Sequence, residues 1–304
     1  MRIVVHGQEA FGKAVLEALL ERGEDVVGVY CAPDKEGRPE DPLKVFAREK
    51  GFDVHQPSSW KKEEVWDHLR SLEPDLCVMA YVTLFVPQTP LEIPKLGTIQ
   101  YHPSLLPLHR GPSSINWPII MGAKKTGLSI FWPDEGLDEG PILLQKEVDV
   151  GPDDTLGSIY FKNLFPMGVE AMCEAVDLVR DGKAPRIEQD HSKATYESWC
   201  RKKDAEIDWS KPVQEVHNLI RGTDPAPGAW TMHGDVRLSL FGSTIADGSG
   251  APGEVLDVSD DGITIAASDG AVRIGRMRAD KDQKVAASEC AAANGVSAGT
   301  KLGS

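Results

Sequence analysis

The chain has 304 residues, of which 41% are hydrophobic and 26% charged, and its 47 acidic against 33 basic side chains leave a net charge of −14. That length accommodates two packed domains and that composition is an ordinary globular one; a disordered tail, a collagen-like fibre and a membrane span are excluded, since no apolar run approaches the roughly 20 residues a spanning helix needs. So acidic a chain is poorly suited to wrapping nucleic acid or docking on anionic lipid, because both draw on clustered Lys and Arg.

Arg2 to Val5 reads as a buried strand with no leader pattern before it, so the expected location is the cytoplasm. Phe11 to Arg22 reads as a helix, with Phe11, Val15, Leu16, Leu19 and Leu20 on one face, and Gly23 stops it. The next strand is Val26 to Tyr30. Helices follow over Pro42 to Lys50 and Lys61 to Leu72, then strands over Leu76 to Ala80, Gly97 to Tyr101 and Gly127 to Phe131. This alternation predicts a parallel sheet covered by helices on both faces, with ligands at the carboxyl ends of the strands. A long helical pattern runs from Thr155 to about Asp181. Residues 183–204 read as a polar linker that closes a first domain spanning 1–204. From 205 to 304, short strands separated by Gly and Asp turns predict a small antiparallel barrel; with nine basic and fourteen acidic residues it is no basic RNA-binding appendage.

Cys31, Cys77, Cys173, Cys200 and Cys290 are widely spaced without a Cys-x-x-Cys pair, so no metal site or disulfide framework is expected. The first turn, His6 to Gly12, has glycines at two positions but lacks G-x-G-x-x-G. It also sets Glu9 where a pyrophosphate would approach. A tight strand-to-helix turn is the better reading, and no NAD(P) site is expected.

Two loops carry candidate chemistry. Gln100-Tyr101-His102-Pro103-Ser104-Leu105-Leu106-Pro107 runs off the end of a strand, where a histidine of near-neutral pKa suits proton transfer; a lone loop histidine is more often a structural group. Phe131 to Pro141 holds Asp134, Glu135, Asp138 and Glu139 among Gly136 and Gly140, which makes either a solvated turn or a carboxylate held near a ligand.

Taken together, the two loops resemble the formyltransferase-type folate enzymes, whose pattern is Asn-x-His-x-Ser-x-Leu-Pro followed by Leu-Asp-x-Gly. Here these are Gln100-x-His102-x-Ser104-x-Leu106-Pro107 and Leu137-Asp138-Glu139-Gly140. Within that family the chain is most similar to the hydrolase domain of 10-formyltetrahydrofolate dehydrogenase, through His109-Arg110-Gly111, Ile115-Asn116-Trp117, Ser129 to Trp132, Leu143 to Glu147, His217-Asn218-x-Ile220-Arg221-Gly222 and Pro227 to Thr231. It is also similar to methionyl-tRNA formyltransferase. The likeness weakens after about Gly250.

The resemblance implies a Rossmann-like, mostly parallel sheet of the formyltransferase fold followed by an OB-like barrel. It implies hydrolysis of 10-formyltetrahydrofolate to tetrahydrofolate and formate through a tetrahedral intermediate, with tetrahydrofolate carrying the formyl group and neither metal nor NAD(P) involved. His102 would stabilise the oxyanion or assist transfer to N10, and Asp138 would orient His102 and take a proton from the attacking water. The segments Tyr81, Val82, Thr83, Leu84, Phe85, Val86 and Asp134, Glu135, Gly136, Leu137 match the family's pterin-pocket segments, and Ser104 belongs to the same binding set. Gln100 departs from the family. It keeps the transferases' carboxamide on a longer side chain, and as a strand residue two before His102 it points to the same side, either to reach the formyl oxygen or to pack at the strand end. The alternative activity is transfer of the formyl group to an amine, a small molecule or methionyl-tRNA. The resemblance further implies fusion to, or cooperation with, carrier and aldehyde dehydrogenase modules.

Overall fold

A computed structural model describes residues 1–303; Ser304, the last residue of the expected C-terminal domain, lies outside the described residues. The chain divides into two units, and the division is less simple than a cut after residue 204. Unit 1 comprises Met1–Gly111, Gly127–Glu147 and Asn163–Tyr196; unit 2 comprises Pro112–Thr126, Val148–Lys162 and the rest of the chain from Glu197. Two excursions out of the first domain therefore group with the second.

Unit 1 is built on a seven-stranded sheet. Its strands are β1 (Arg2–Gly7), β2 (Asp25–Cys31), β3 (Val54–His55), β4 (Leu76–Ala80), β5 (Thr98–His102), β6 (Lys125–Phe131) and β7 (Ile142–Asp149), in the spatial order β3-β2-β1-β4-β5-β6-β7. From β3 to β5 the pairing is parallel, whereas β6 runs antiparallel to β5. The runs Ile3-Val4-Val5 and Leu76 to Ala80 are buried throughout, as befits central strands covered on both faces. Helix α1 (Glu9–Glu21) lays Phe11, Val15, Leu16 and Leu19 on the sheet. Helices α2 (Pro42–Glu49), α3 (Glu63–Ser71) and the short α4 (Gln88–Leu91) complete the crossovers.

The first turn has no phosphate-binding geometry. A Cβ on Gly7 would lie 2.6 Å from the carbonyl oxygen of Ala80, so this glycine serves close strand packing. The first amide of α1, that of Glu9, already donates to both carboxylate oxygens of Asp41 at 2.9 Å, and Asp41 also caps α2 through the amide of Leu43. An internal carboxylate thus occupies the helix end where an anion would otherwise bind.

The helical pattern expected from Thr155 to Asp181 is broken into three pieces. Helix α5 (Asn116–Ile120) precedes β6; after β7 come α6 (Leu156–Ile159), a π-turn over Tyr160–Leu164, and α7 (Phe165–Arg180). Pro166 stands in the first turn of α7. Its nitrogen cannot donate to the preceding turn, so the chain widens there instead of continuing in α register.

Unit 2 carries a second, antiparallel sheet of β8 (Ala229–His233), β9 (Val236–Ala246), β10 (Val255–Ser259), β11 (Gly262–Ala266), β12 (Ala271–Ala279) and β13 (Val285–Ala286). Helices α8 (Val213–Gly222) and α9 (Ala287–Ala293) supply buried residues to its core, among them Val216, Ile220, Cys290 and Ala291 alongside Leu238, Ile263 and Val272. His217 and Arg221 on α8 hold the excursion after β7, through the carbonyls of Pro152 and of Gly151 and Asp154. Among the described residues no helix is long and apolar enough to cross a membrane.

His6, read from sequence as a turn residue, is buried at the end of β1 against Trp60, at 4.7 Å between ring centroids, and Tyr30. Burial lowers its pKa from 6.5 to about 3. The unfolded chain therefore binds a proton that the folded chain refuses between these two values, and stability contributed by neutral His6 is intact above pH 6.5 and lost on acidification. Urea unfolding from pH 6.5 down to 4 should show stability falling by up to about 1.4 kcal/mol per pH unit from this residue alone. His6→Phe should remove that component, and an unchanged slope would contradict it.

Candidate active site

His102 is the last residue of β5, at the carboxyl end of a central strand, and it is 6% exposed. The loop that follows is held from beneath by polar side chains on the two neighbouring strands. Ser129 on β6 donates to the carbonyl of Ser104 at 2.7 Å and accepts the amide of Leu106 at 3.1 Å. Gln145 on β7 donates to the carbonyl of Leu106 at 2.8 Å and to the Ser129 hydroxyl at 2.9 Å. Ser104 is fully buried. Its hydroxyl bonds to the loop's own backbone, at 2.7 Å to the carbonyl of Leu108 and 3.3 Å to that of His109.

This loop turns the carbonyl of His109 onto Nε2 of His102 at 2.9 Å. A carbonyl only accepts, so Nε2 carries the proton, and in the neutral ring Nδ1 presents its lone pair. Nδ1 faces Oδ2 of Asp138 at 3.6 Å, too far for a direct hydrogen bond. The same Oδ2 accepts the amide of Gly111 at 2.8 Å. The His109 carbonyl thus holds one ring nitrogen of His102, and Asp138 faces the other. At that separation one donor placed to the side of the pair lies within hydrogen-bond reach of both atoms.

Asp138 reaches this position by a fold-back. The register pairs Gln100 with Phe131 and His102 with Ser129, so the loop after β6 leaves beside Gln100 and must return to meet His102. The return is tightly built. A Cβ on Gly140 would lie 1.8 Å from the carbonyl oxygen of Trp132, so only glycine fits. Asp134 closes a local turn by accepting the amide of Gly136 at 2.9 Å, and Asp138 itself sits at φ +56°.

Gln100 is half-buried on the same strand face as His102, and its carboxamide has no hydrogen-bond partner among the described residues. The segment after β4, adjacent to β5, alternates: Tyr81, Thr83 and Phe85 are exposed, while Val82 and Leu84 pack against an apolar cluster containing Trp60 and Val86 is buried. Glu135 and Leu137 are exposed in the fold-back loop, with Asp134 and Gly136 half-buried. The predicted segments thus flank β5 from the strands on either side. Among the described residues no group of three His, Cys, Asp or Glu is placed to hold a metal ion.

Sequence reasoning missed the buried support. Arg110 is 1% exposed. It donates to Oε1 of Gln189 through Nε at 3.2 Å and Nη2 at 2.8 Å, and to the hydroxyl of Tyr196. Tyr196 in turn donates to Glu139, whose carboxylate raises the pKa of the phenol. The presumed linker is in part a structural strap: Ile187 pairs with Ile142 in both directions, and Thr195 accepts from Arg110 and donates to the Pro107 carbonyl. Polar Ser129 and Gln145 inside apolar strand runs were a legible signal. Gln189, in a uniformly polar stretch, had none.

The α/β sheet thus brings an imidazole and a carboxylate together at the end of a central strand, with a carboxamide beside them, residue types that are able to move a proton and to donate to developing charge. Residues 1–176 match the family model described as formyl transferase, and residues 200–295 match that of the formyl transferase C-terminal domain. The chain belongs to the formyl transferase family. It is 45% identical over 85% of its length to human mitochondrial 10-formyltetrahydrofolate dehydrogenase, but spans only 28% of that relative. It is 36% identical to the methionyl-tRNA formyltransferase of Geotalea uraniireducens over 100% of this chain and 98% of the other. The crystal structure of HypX from Aquifex aeolicus in complex with tetrahydrofolic acid superposes with a TM-score of 0.71 at 22% identity, covering 97% of this chain and 48% of that one.

Replacing Arg110 by Leu removes a buried charged donor and leaves the Gln189 oxygen unpaired. Unfolding free energy in urea should fall by about 3 kcal/mol; a loss below about 0.5 kcal/mol would show that the guanidinium is dispensable to the fold.

Proposed function

We propose that this chain removes the formyl group of 10-formyltetrahydrofolate with water as acceptor, giving tetrahydrofolate and formate. The observation that carries the reading is the pair of facing acceptors, Nδ1 of His102 and Oδ2 of Asp138, 3.6 Å apart. A water bridging the two from the side donates its protons to both and turns an oxygen lone pair toward the formyl carbon. Attack forms the new C–O bond and moves the carbonyl electrons onto oxygen. The proton released passes to the Asp138–His102 pair, and the carboxamide of Gln100 donates to the oxyanion. Collapse breaks the C–N10 bond, N10 takes the proton from the imidazolium, and the formic acid released gives up its remaining proton to solvent to leave formate. Oxyanion donation of this kind typically supplies about 3 kcal/mol per donor, and acid–base assistance about 10²–10⁴-fold.

Tyr81, Thr83 and Phe85, with Leu137 across from them, are the side chains offered to the pterin; Val82, Leu84 and Val86 hold their segment in place. Water as acceptor is supported by the higher identity to 10-formyltetrahydrofolate dehydrogenase and by the acidic region beyond residue 204, which disfavours a polyanionic acceptor such as tRNA. The greater length of the dehydrogenase relatives supports operation beside carrier and aldehyde dehydrogenase modules. The second reading, transfer to an amine, is favoured by the unpaired Gln100 carboxamide and by the full-length match to methionyl-tRNA formyltransferase.

Purified protein incubated with 10-formyltetrahydrofolate should release formate and tetrahydrofolate in equal amounts without any acceptor. His102→Ala and Asp138→Ala should each lower kcat by about 10²-fold or more. Donor consumption only when an amine is supplied would replace hydrolysis by transfer. Full turnover in either variant would remove that residue from the mechanism.

A further inference from the structure

Asp138 carries its carboxylate from a left-handed backbone position, φ +56°, at the far side of a loop that leaves the sheet at the wrong end of β5. Such a position persists only where its surroundings over-determine it. Those surroundings form a closed ring of bonds. Oδ2 of Asp138 accepts the amide of Gly111 at 2.8 Å. The preceding residue, Arg110, sends its guanidinium to Oε1 of Gln189 at 3.2 and 2.8 Å. Nε2 of Gln189 donates at 2.9 Å to the carbonyl of Asp138 and at 2.7 Å to that of Gly140. The ring therefore ties the backbone of Asp138 to the peptide that grips its carboxylate.

The Gln189 carboxamide is 5% exposed and its capacity is filled, with two donations and two acceptances. Only one amide orientation works, since a flip would set oxygen against two carbonyls and nitrogen against the guanidinium. None of its hydrogen bonds goes to His102 or to the 81–86 segment. We propose that Gln189 is a positioning residue for the reaction: by locking the ring it holds Oδ2 of Asp138 at its working distance from Nδ1 of His102. Displacement of a catalytic group by about 1 Å costs on the order of 10²-fold in rate. This inference rests on the assignment of His102 and Asp138 to catalysis.

The test is steady-state turnover of 10-formyltetrahydrofolate by the full chain carrying Gln189→Ala, Gln189→Glu, Asp138→Ala and the Gln189→Ala/Asp138→Ala pair, with thermal melting as the fold control. Gln189→Glu keeps the shape and the acceptor for Arg110 but loses the donations to Asp138 and Gly140, so it decides the question even if the alanine variant does not fold. Both single variants at Gln189 should lower kcat about 10–100-fold with KM within about twofold of the parent. The double variant should be no slower than Asp138→Ala alone. Wild-type kcat in Gln189→Glu, a rise in KM at unchanged kcat, or a further loss in the double variant would each overturn the positioning role while leaving the catalytic pair standing. Full turnover in Asp138→Ala would overturn the pair and the positioning role with it.

Discussion

The chemistry open to this site depends on one hydrogen bond, from Nε2 of His102 to the carbonyl of His109. Because a carbonyl cannot donate, this contact selects the ring tautomer and turns the basic nitrogen toward Asp138. The carbonyl is where it is because Ser104, Ser129 and Gln145 hold the intervening loop. Hydroxyls and an amide bonded to the loop backbone thus decide which nitrogen of the imidazole is left facing Asp138.

A second constraint comes from the direction of β6. Were it parallel to β5, its following loop would emerge beside His102. Being antiparallel, it delivers the loop beside Gln100, and Asp138 arrives only by doubling back. The return uses a glycine at a position that no side chain could occupy, a left-handed aspartate and a buried Arg–Gln contact. Buried polar groups of this kind are tolerable only when each is paired, and here the guanidinium and the carboxamide satisfy one another.

Much of unit 1 was legible in the sequence. Ile3-Val4-Val5 and Leu76 to Ala80 read as buried strands because apolar side chains on both faces suit a covered parallel sheet, and α1 declared itself by its three- and four-residue spacing. The motif residues His102 and Asp138 were legible by their likeness to a family pattern, and the structure sets them 3.6 Å apart. The single helix expected from Thr155 to Asp181 was not, because apolar periodicity is blind to a register change of one residue at Pro166. The bonds of Ser104 to the carbonyls of Leu108 and His109 were not legible either, because a hydroxyl two residues after a histidine looks the same in sequence whatever it faces.

By itself, the sequence determined the alternation of strand and helix, the apolar faces, and the residue types able to move a proton, since all of these are local properties of side chains and their spacing. Only the tertiary structure decided that β6 is antiparallel, that residues 185–196 strap unit 1 instead of merely linking domains, and that Arg110 and Gln189 meet. The last of these joins positions 79 residues apart in the chain. The polar periodicity of the segment around Gln189 is compatible with solvent or with a buried partner, and only packing against the strands chose between them.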